Sequence, residues 1–281
     1  MKRFAITAAF MVLFVPQAFA SGTWLKSMAA AQKEAKSKQR LIFVDMYADW
    51  CGWCKRFEQE VFPSQVFQKE SNDLVLLRLN TEDRAEGTKI SQQFQVTSLP
   101  TFLLLTPEGT IAGIIRGYAP PDQFTKMLKD TRTKYDLFVK RVKNEPSLGK
   151  DYQSRLDLAR EFTARQAYLQ AEPRLKKLSG EQGVPVAIRD SVYYELALAQ
   201  TLQKKYDSAM KTISTLSSMQ KNGEAFERSR LLVGQIYMEQ GKIAEAATEF
   251  RSFKKKFPAS PLMRNVDAVL PNLEQQLAQR R

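Results

Sequence analysis

Cys51-Gly52-Trp53-Cys54 holds the only two cysteines among 281 residues, and it stands where one kind of local sequence gives way to another. The run before it, Leu41-Ile42-Phe43-Val44, is continuously apolar, as a buried strand is. The run after it, Lys55 to Glu60, reads as helix. The pair is therefore expected at a strand-to-helix junction. A thiol at a helix N-terminus faces unpaired N–H groups and the positive end of the helix dipole. Both favour the thiolate, the species that attacks disulfides. A second cysteine two residues further on can close a disulfide within the turn. These residues point to dithiol–disulfide exchange.

Two plainer readings compete. Half of a zinc site needs further Cys or His ligands, and the chain has no histidine and no third cysteine. A purely structural cross-link gains little from so short a loop. Exchange chemistry is the reading retained. It requires no cofactor and no metal, because the cysteines themselves carry the electrons.

The N-terminus fits an exported protein, in a compartment where cysteine pairs can be kept oxidised or actively reduced. Lys2 and Arg3 precede an apolar run from Phe4 to Val15, and Ala18-Phe19-Ala20 follows. This is the pattern of a secretory signal, with the mature chain starting at Ser21. The run is shorter than the roughly 20 residues a membrane span needs. No transmembrane segment is expected in the mature chain, which reads as exported and, if bacterial, periplasmic. The net charge of +13 is spread over the whole length. Its densest run, Lys254-Lys255-Lys256, reads as a solvated helix face, so no nucleic-acid partner is expected.

Along residues 21–143, strand and helix patterns alternate. Thr23–Arg40 reads as helix, Leu41–Tyr47 as a buried strand, and the helix after the cysteines stops at Pro63. Leu74–Leu79 is a second strand, Ile90–Phe94 belongs to a helix, and Thr101–Leu105 and Ile111–Arg116 form a hairpin around Pro107-Glu108-Gly109-Thr110. Gln123–Val142 closes the segment as a long helix. The alternation predicts an α/β domain with a mixed central sheet flanked by helices.

Two segments resemble the thioredoxin family. Tyr47-Ala48-Asp49-Trp50-Cys51-Gly52-Trp53-Cys54-Lys55 is similar to its active-site segment, and Thr97-Ser98-Leu99-Pro100-Thr101-Phe102 to the segment carrying its cis-proline. With Phe57-Glu58 and Phe62, the pattern most resembles the C-terminal periplasmic domain of the disulfide reductase DsbD. Gly-Trp between the cysteines departs from the Gly-Pro of thioredoxins. The resemblance implies an exposed attacking Cys51, a deeper resolving Cys54, and a buried Asp45 that shuttles the Cys54 proton. It implies a cis Pro100 that exposes backbone for a substrate strand. Leu99, Trp50 and Trp53 are assigned to substrate docking, with packing as the other reading of Trp50. Arg78 either faces Asp45 or stands as an exposed strand charge.

Asn144–Lys150, with Pro146 and Gly149, reads as a linker (residues 144–150). Beyond it, residues 151–281 are helical and repeat. Gly234, Tyr237, Ala246, Phe250 and Pro258 match the tetratricopeptide spacing. Ala197, Ala209 and Ile213 stand in the preceding unit, and Ala159, Phe162, Ala171 and Leu175 in the one before. The usual tryptophan position holds Arg155, Tyr193 and Arg230. Three helical hairpins and a capping helix from about Leu262 to Gln279 are expected, against the alternative of a plain helical bundle. Such arrays bind peptides or proteins on a concave face. The whole reads as a thiol–disulfide oxidoreductase that acts on protein disulfides or dithiols and exchanges electrons with an upstream thiol partner. The alternative is a client-binding adaptor whose first domain is mainly a docking surface.

Overall fold

The computed structural model describes residues 23–219 and 221–279. The expected signal segment, residues 1–20, lies outside them. The chain separates into two compact units. The first runs through Gly109 and resumes over Gly113–Arg132; the second takes Thr110–Ala112 and everything from Thr133 onward.

The first unit is built on strand β1 (Ile42–Tyr47), which is buried almost throughout. It pairs in parallel with β2 (Val75–Asn80), Ile42 opposite Val75 and Asp45 opposite Arg78. On its other edge it pairs antiparallel with β3 (Thr101–Leu105), Asp45 opposite Phe102. With β4 (Ile111–Arg116) the order is β2-β1-β3-β4, a mixed four-stranded sheet. A central strand covered on both faces is continuously apolar rather than alternating, which is why Ile42–Met46 contains only Asp45 as a polar residue. Helices α1 (Met28–Lys38), α2 (Gly52–Glu60), α3 (Gln65–Ser71), α4 (Glu86–Gln93) and the start of α5 (Pro121–Lys143) complete the unit.

Its core is aromatic. Phe43 stacks on Phe102 at 5.5 Å between ring centroids, Phe57 lies 4.5 Å from Phe102, and Phe124 of α5 lies 4.6 Å from Phe57. These rings anchor α2 and α5 to the sheet with offset and edge contacts that such pairs prefer. Helix α2 ends at Glu60, capped at Val61 and so short of Pro63, and the chain re-enters helix at Gln65. Ser64 caps α3 by accepting from the Phe67 N–H at 3.3 Å. The seven-residue α3 was too short to show a period. Residues before α1 are not helical either: Leu25 forms a parallel bridge to Leu77, and Trp24 packs on Phe62 at 4.7 Å.

The second unit contains three helical hairpins and a final helix. They are α6–α7 (Tyr152–Ala164, Tyr168–Gly180), α8–α9 (Val186–Leu202, Tyr206–Met219), α10–α11 (Glu224–Glu239, Ile243–Lys256) and α12 (Met263–Gln279). Partners within each hairpin pack together, and the first helices also pack in series, α6 on α8 and α8 on α10. This stacking of unit on unit is repeat geometry rather than an undifferentiated bundle. At Gly234 a Cβ would lie 2.6 Å from the Phe250 ring, so only glycine lets α10 and α11 approach so closely. Two of the missing tryptophans are replaced by ion pairs across a hairpin: Arg155 with Glu181 at 2.7 Å, and Arg230 with Glu249. The 144–150 segment contains a 3-10 helix, Glu145–Leu148, held by a bidentate Glu145–Arg174 pair.

Candidate active site

The Ala48–Trp50 turn carries β1 into α2. Cys51 is the N-cap of α2, with extended backbone angles, and its Sγ accepts from the Cys54 N–H at 3.1 Å. The Cys51 N–H donates to the Ala48 carbonyl at 3.0 Å. The two cysteines form a disulfide with their Cα atoms 5.2 Å apart. The junction read from the sequence is therefore where the pair sits.

Exposure corrects one expectation. Cys51 is only 3% exposed and Cys54 2%. In the disulfide form Cys51 packs with Ala48, Cys54, Tyr47 and Leu99, so both sulfurs are covered alike. What distinguishes Cys51 here is its place at the helix start, not accessibility.

Asp45 is 2% exposed in the middle of β1. Burial pushes its carboxyl up from 3.8 to about 7, against the pull of Arg78. Arg78 stands opposite it in the register, with Nε 2.9 Å from Oδ2. The contact is an ion pair. The same guanidinium pairs with Glu58 of α2 and lies 4.1 Å from the Tyr47 ring centre. Arg78 thus faces the acid, but it is shared with Glu58. That sharing fits a carboxylate left poorly compensated.

The Leu99–Pro100 bond is cis, as the resemblance implied. The backbone of Pro100 itself is not free for a substrate strand. Pro100 is buried, has no N–H, and its carbonyl accepts from the Gly117 N–H at 2.9 Å. Leu99, packed against the cysteines, is the residue of this turn that reaches them.

Trp50 and Trp53 are 68% and 54% exposed, so Trp50 is not a packing residue. Each has a partner that the sequence pattern did not reveal. The Trp50 indole N–H donates to Glu82 at 2.8 Å. Trp53 stands 5.1 Å from the Tyr118 ring, and Arg56 covers both rings. A basic residue three positions after Trp53 was the available signal for Arg56; nothing local announced Tyr118. Among the described residues no cluster of three or more His, Cys, Asp or Glu side chains is placed to hold a metal ion.

Residues 28–132 match the family model of the thioredoxin-like domain, and residues 228–260 that of the tetratricopeptide repeat. The thiol:disulfide interchange protein DsbD of Actinobacillus pleuropneumoniae is 30% identical over 108 residues, 37% of this chain and 18% of that protein. DsbD of Salmonella typhimurium is 37% identical over 79 residues, 28% of this chain and 14% of that protein. The chain thus matches less than a fifth of the length of these curated relatives. Among solved structures, the oxidised C-terminal domain of Neisseria meningitidis DsbD aligns with TM-score 0.35 and 15% identity, over 39% of this chain and all of that one. The first unit is a thioredoxin-like domain, and the second carries a tetratricopeptide repeat.

Proposed function

We propose that this thioredoxin-like chain is an exported reductase of protein disulfides, with its helical repeats holding a protein partner. The observation that carries the reading is a disulfide at the start of α2 on the strand that carries a buried acid of raised pKa, Asp45.

In the reduced enzyme the Cys51 thiolate attacks one sulfur of a substrate disulfide. One substrate thiolate leaves and a Cys51–substrate mixed disulfide remains. Cys54 then gives up its proton and attacks the Cys51 sulfur. The second substrate thiolate leaves, and Cys51–Cys54 is oxidised as the substrate is reduced by two electrons. An acid that titrates near neutrality can take and return the Cys54 proton; Asp45 is assigned that role. Leu99, Trp50 and Trp53 form the docking rim, and Pro100 shapes the turn that carries Leu99. An upstream dithiol partner re-reduces the pair. Export rests on the sequence of residues 1–20, and among the described residues no helix is long and apolar enough to cross a membrane.

The test is insulin reduction together with trapping. Cys54→Ala should accumulate mixed disulfides through Cys51, and Cys51→Ala should accumulate none. Equal trapping by both variants would overturn the assignment of roles. Absence of dithiol-dependent turnover in the wild-type chain would favour the adaptor reading instead.

A further inference from the structure

Two tryptophans this exposed beside one disulfide are unusual on a surface, since large apolar side chains left in water mark contact sites. Their partners differ in kind. Trp50 is tethered at its edge, by one hydrogen bond to Glu82. Trp53 is held by its faces. Tyr118, from the loop between β4 and α5, approaches it at 5.1 Å with an interplanar angle of 33°. The Arg56 guanidinium lies 5.6 Å from the Trp53 ring centre and 5.0 Å from that of Tyr118. Glu60 closes the cluster. It pairs with Arg56 at 2.8 Å and accepts a hydrogen bond from the Tyr118 hydroxyl. Tyr118 in turn meets the Phe57 ring in a T-shaped contact, 5.7 Å between centroids, and Phe57 is 1% exposed in the core. A chain of contacts therefore runs from the core to the indole that stands between the two cysteines.

We propose that Tyr118, with Arg56 and Glu60, is a positioning residue that holds Trp53 in a fixed pose beside the disulfide. That pose selects protein disulfides flanked by apolar or aromatic residues. The proposal rests on the reductase reading above. The physical reason is preorganisation. An exposed indole that moves freely must be ordered when a partner docks, which weakens binding; one already held needs no ordering. Rigid aromatic side chains are effective contact groups for this reason. A small disulfide has no flanking residues to meet Trp53, so it gains little from the pose. The cluster should act on partner recognition rather than on sulfur chemistry.

The experiment compares Tyr118→Ala and Tyr118→Phe in the full chain, using insulin and hydroxyethyl disulfide as substrates. For Tyr118→Ala, kcat/KM on insulin should fall about tenfold relative to that on hydroxyethyl disulfide, with the change in KM rather than kcat. The near-ultraviolet circular dichroism of the indoles should weaken. Tyr118→Phe keeps the ring and loses the bond to Glu60, so its relative fall should be smaller, about twofold. Equal falls on both substrates would mean that Tyr118 only supports the fold, and no fall would mean that Trp53 needs no support; either overturns the proposal. If Tyr118→Ala does not fold, Arg56→Gln is scored by the same ratio. Wild-type enzyme inactive on both substrates would refute the reductase reading instead.

Discussion

Asp45 in the first unit and Glu172 in the second are both buried carboxylates, and their surroundings drive them in opposite directions. Burial raises both. At Asp45 it wins: desolvation lifts the carboxyl to about 7 against the pull of Arg78, a guanidinium that also pairs with Glu58. At Glu172 it loses. Lys176 and Lys205 each stand 2.7 Å from one of its oxygens and Gln203 donates at 3.0 Å, and together they hold the carboxyl at about 2. A fully satisfied buried charge serves as a clamp, here joining α7 to the segment after α8. A poorly satisfied one keeps a proton available. Burial alone is not the mark of a site: Asp190 of α8 is also buried and raised by desolvation, but its helix does not lead to the cysteines. Asp45 is set apart by lying on β1, the strand that runs into Cys51.

The largest expected effect is on turnover. Asp45→Asn should slow resolution of the mixed disulfide by about 100-fold, the low end of general acid–base contributions. Quenched-flow measurement of mixed-disulfide decay reads this directly. Glu172→Gln should leave that rate within twofold. If the two variants slow decay equally, the contrast between the two carboxylates has no chemical meaning.

The second effect is on stability, and its sign differs between the units. Between about pH 4 and 7 folded Asp45 keeps a proton that the unfolded chain releases, so the unfolded state binds fewer protons and stability falls as pH rises. Above pH 7 the whole penalty is present. Raising the carboxyl from 3.8 to about 7 corresponds to about 4 kcal/mol as an upper bound. Asp45→Asn should therefore stabilise the first unit by about 2 kcal/mol at pH 8 and by little at pH 4. Glu172 behaves in reverse. Its lowered pKa adds stability above the unfolded value of 4.5, and this is lost as pH falls toward 2. Glu172→Gln should cost about 2 kcal/mol at pH 7, the loss of a buried charge-assisted network, and much less near pH 3. Trp24, Trp50 and Trp53 all lie in the first unit. Tryptophan emission reports that unit in denaturant titrations, and hydrogen exchange reports the other. Same-signed pH profiles would break the comparison.

The smallest effect concerns packing. Gly234→Ala gains about 1 kcal/mol of helix propensity but drives a methyl group into the Phe250 ring, where overpacking costs about 1–3 kcal/mol. The second unit should lose about 1 kcal/mol of stability, with insulin reduction unchanged. A stabilised variant, seen as slower hydrogen exchange in α10 and α11, would show that the hairpin can open to accept the methyl group.

Local pattern was enough for the elements that carry strong periodicity or unusual residues. The apolar run into Cys51, the strands at Leu74–Leu79 and Thr101–Leu105, and the Gly234–Phe250 spacing each state their own geometry. The seven residues of α3 are too few to show a period, and the bridge at Leu25 depends on Leu77, far along the chain. Arg155 and Arg230 stand where the repeat usually has tryptophan, and their partners Glu181 and Glu249 come from across each hairpin, out of reach of any local pattern.

The sequence by itself determined the chemistry on offer: two cysteines with one turn between them, no histidine, and a strand-to-helix junction that places a sulfur at a helix start. Those are properties of neighbouring residues, and the backbone joins them directly. Tertiary structure alone decided how that chemistry is tuned and presented. Arg78 is divided between Asp45 and Glu58, Trp53 is held by Tyr118, the Pro100 carbonyl is taken by Gly117, and both sulfurs are covered. Each of these depends on the distance between atoms far apart in the chain and on the loss of water around them. Burial and partner geometry arise only when strands pair and helices pack, so no local pattern encodes them.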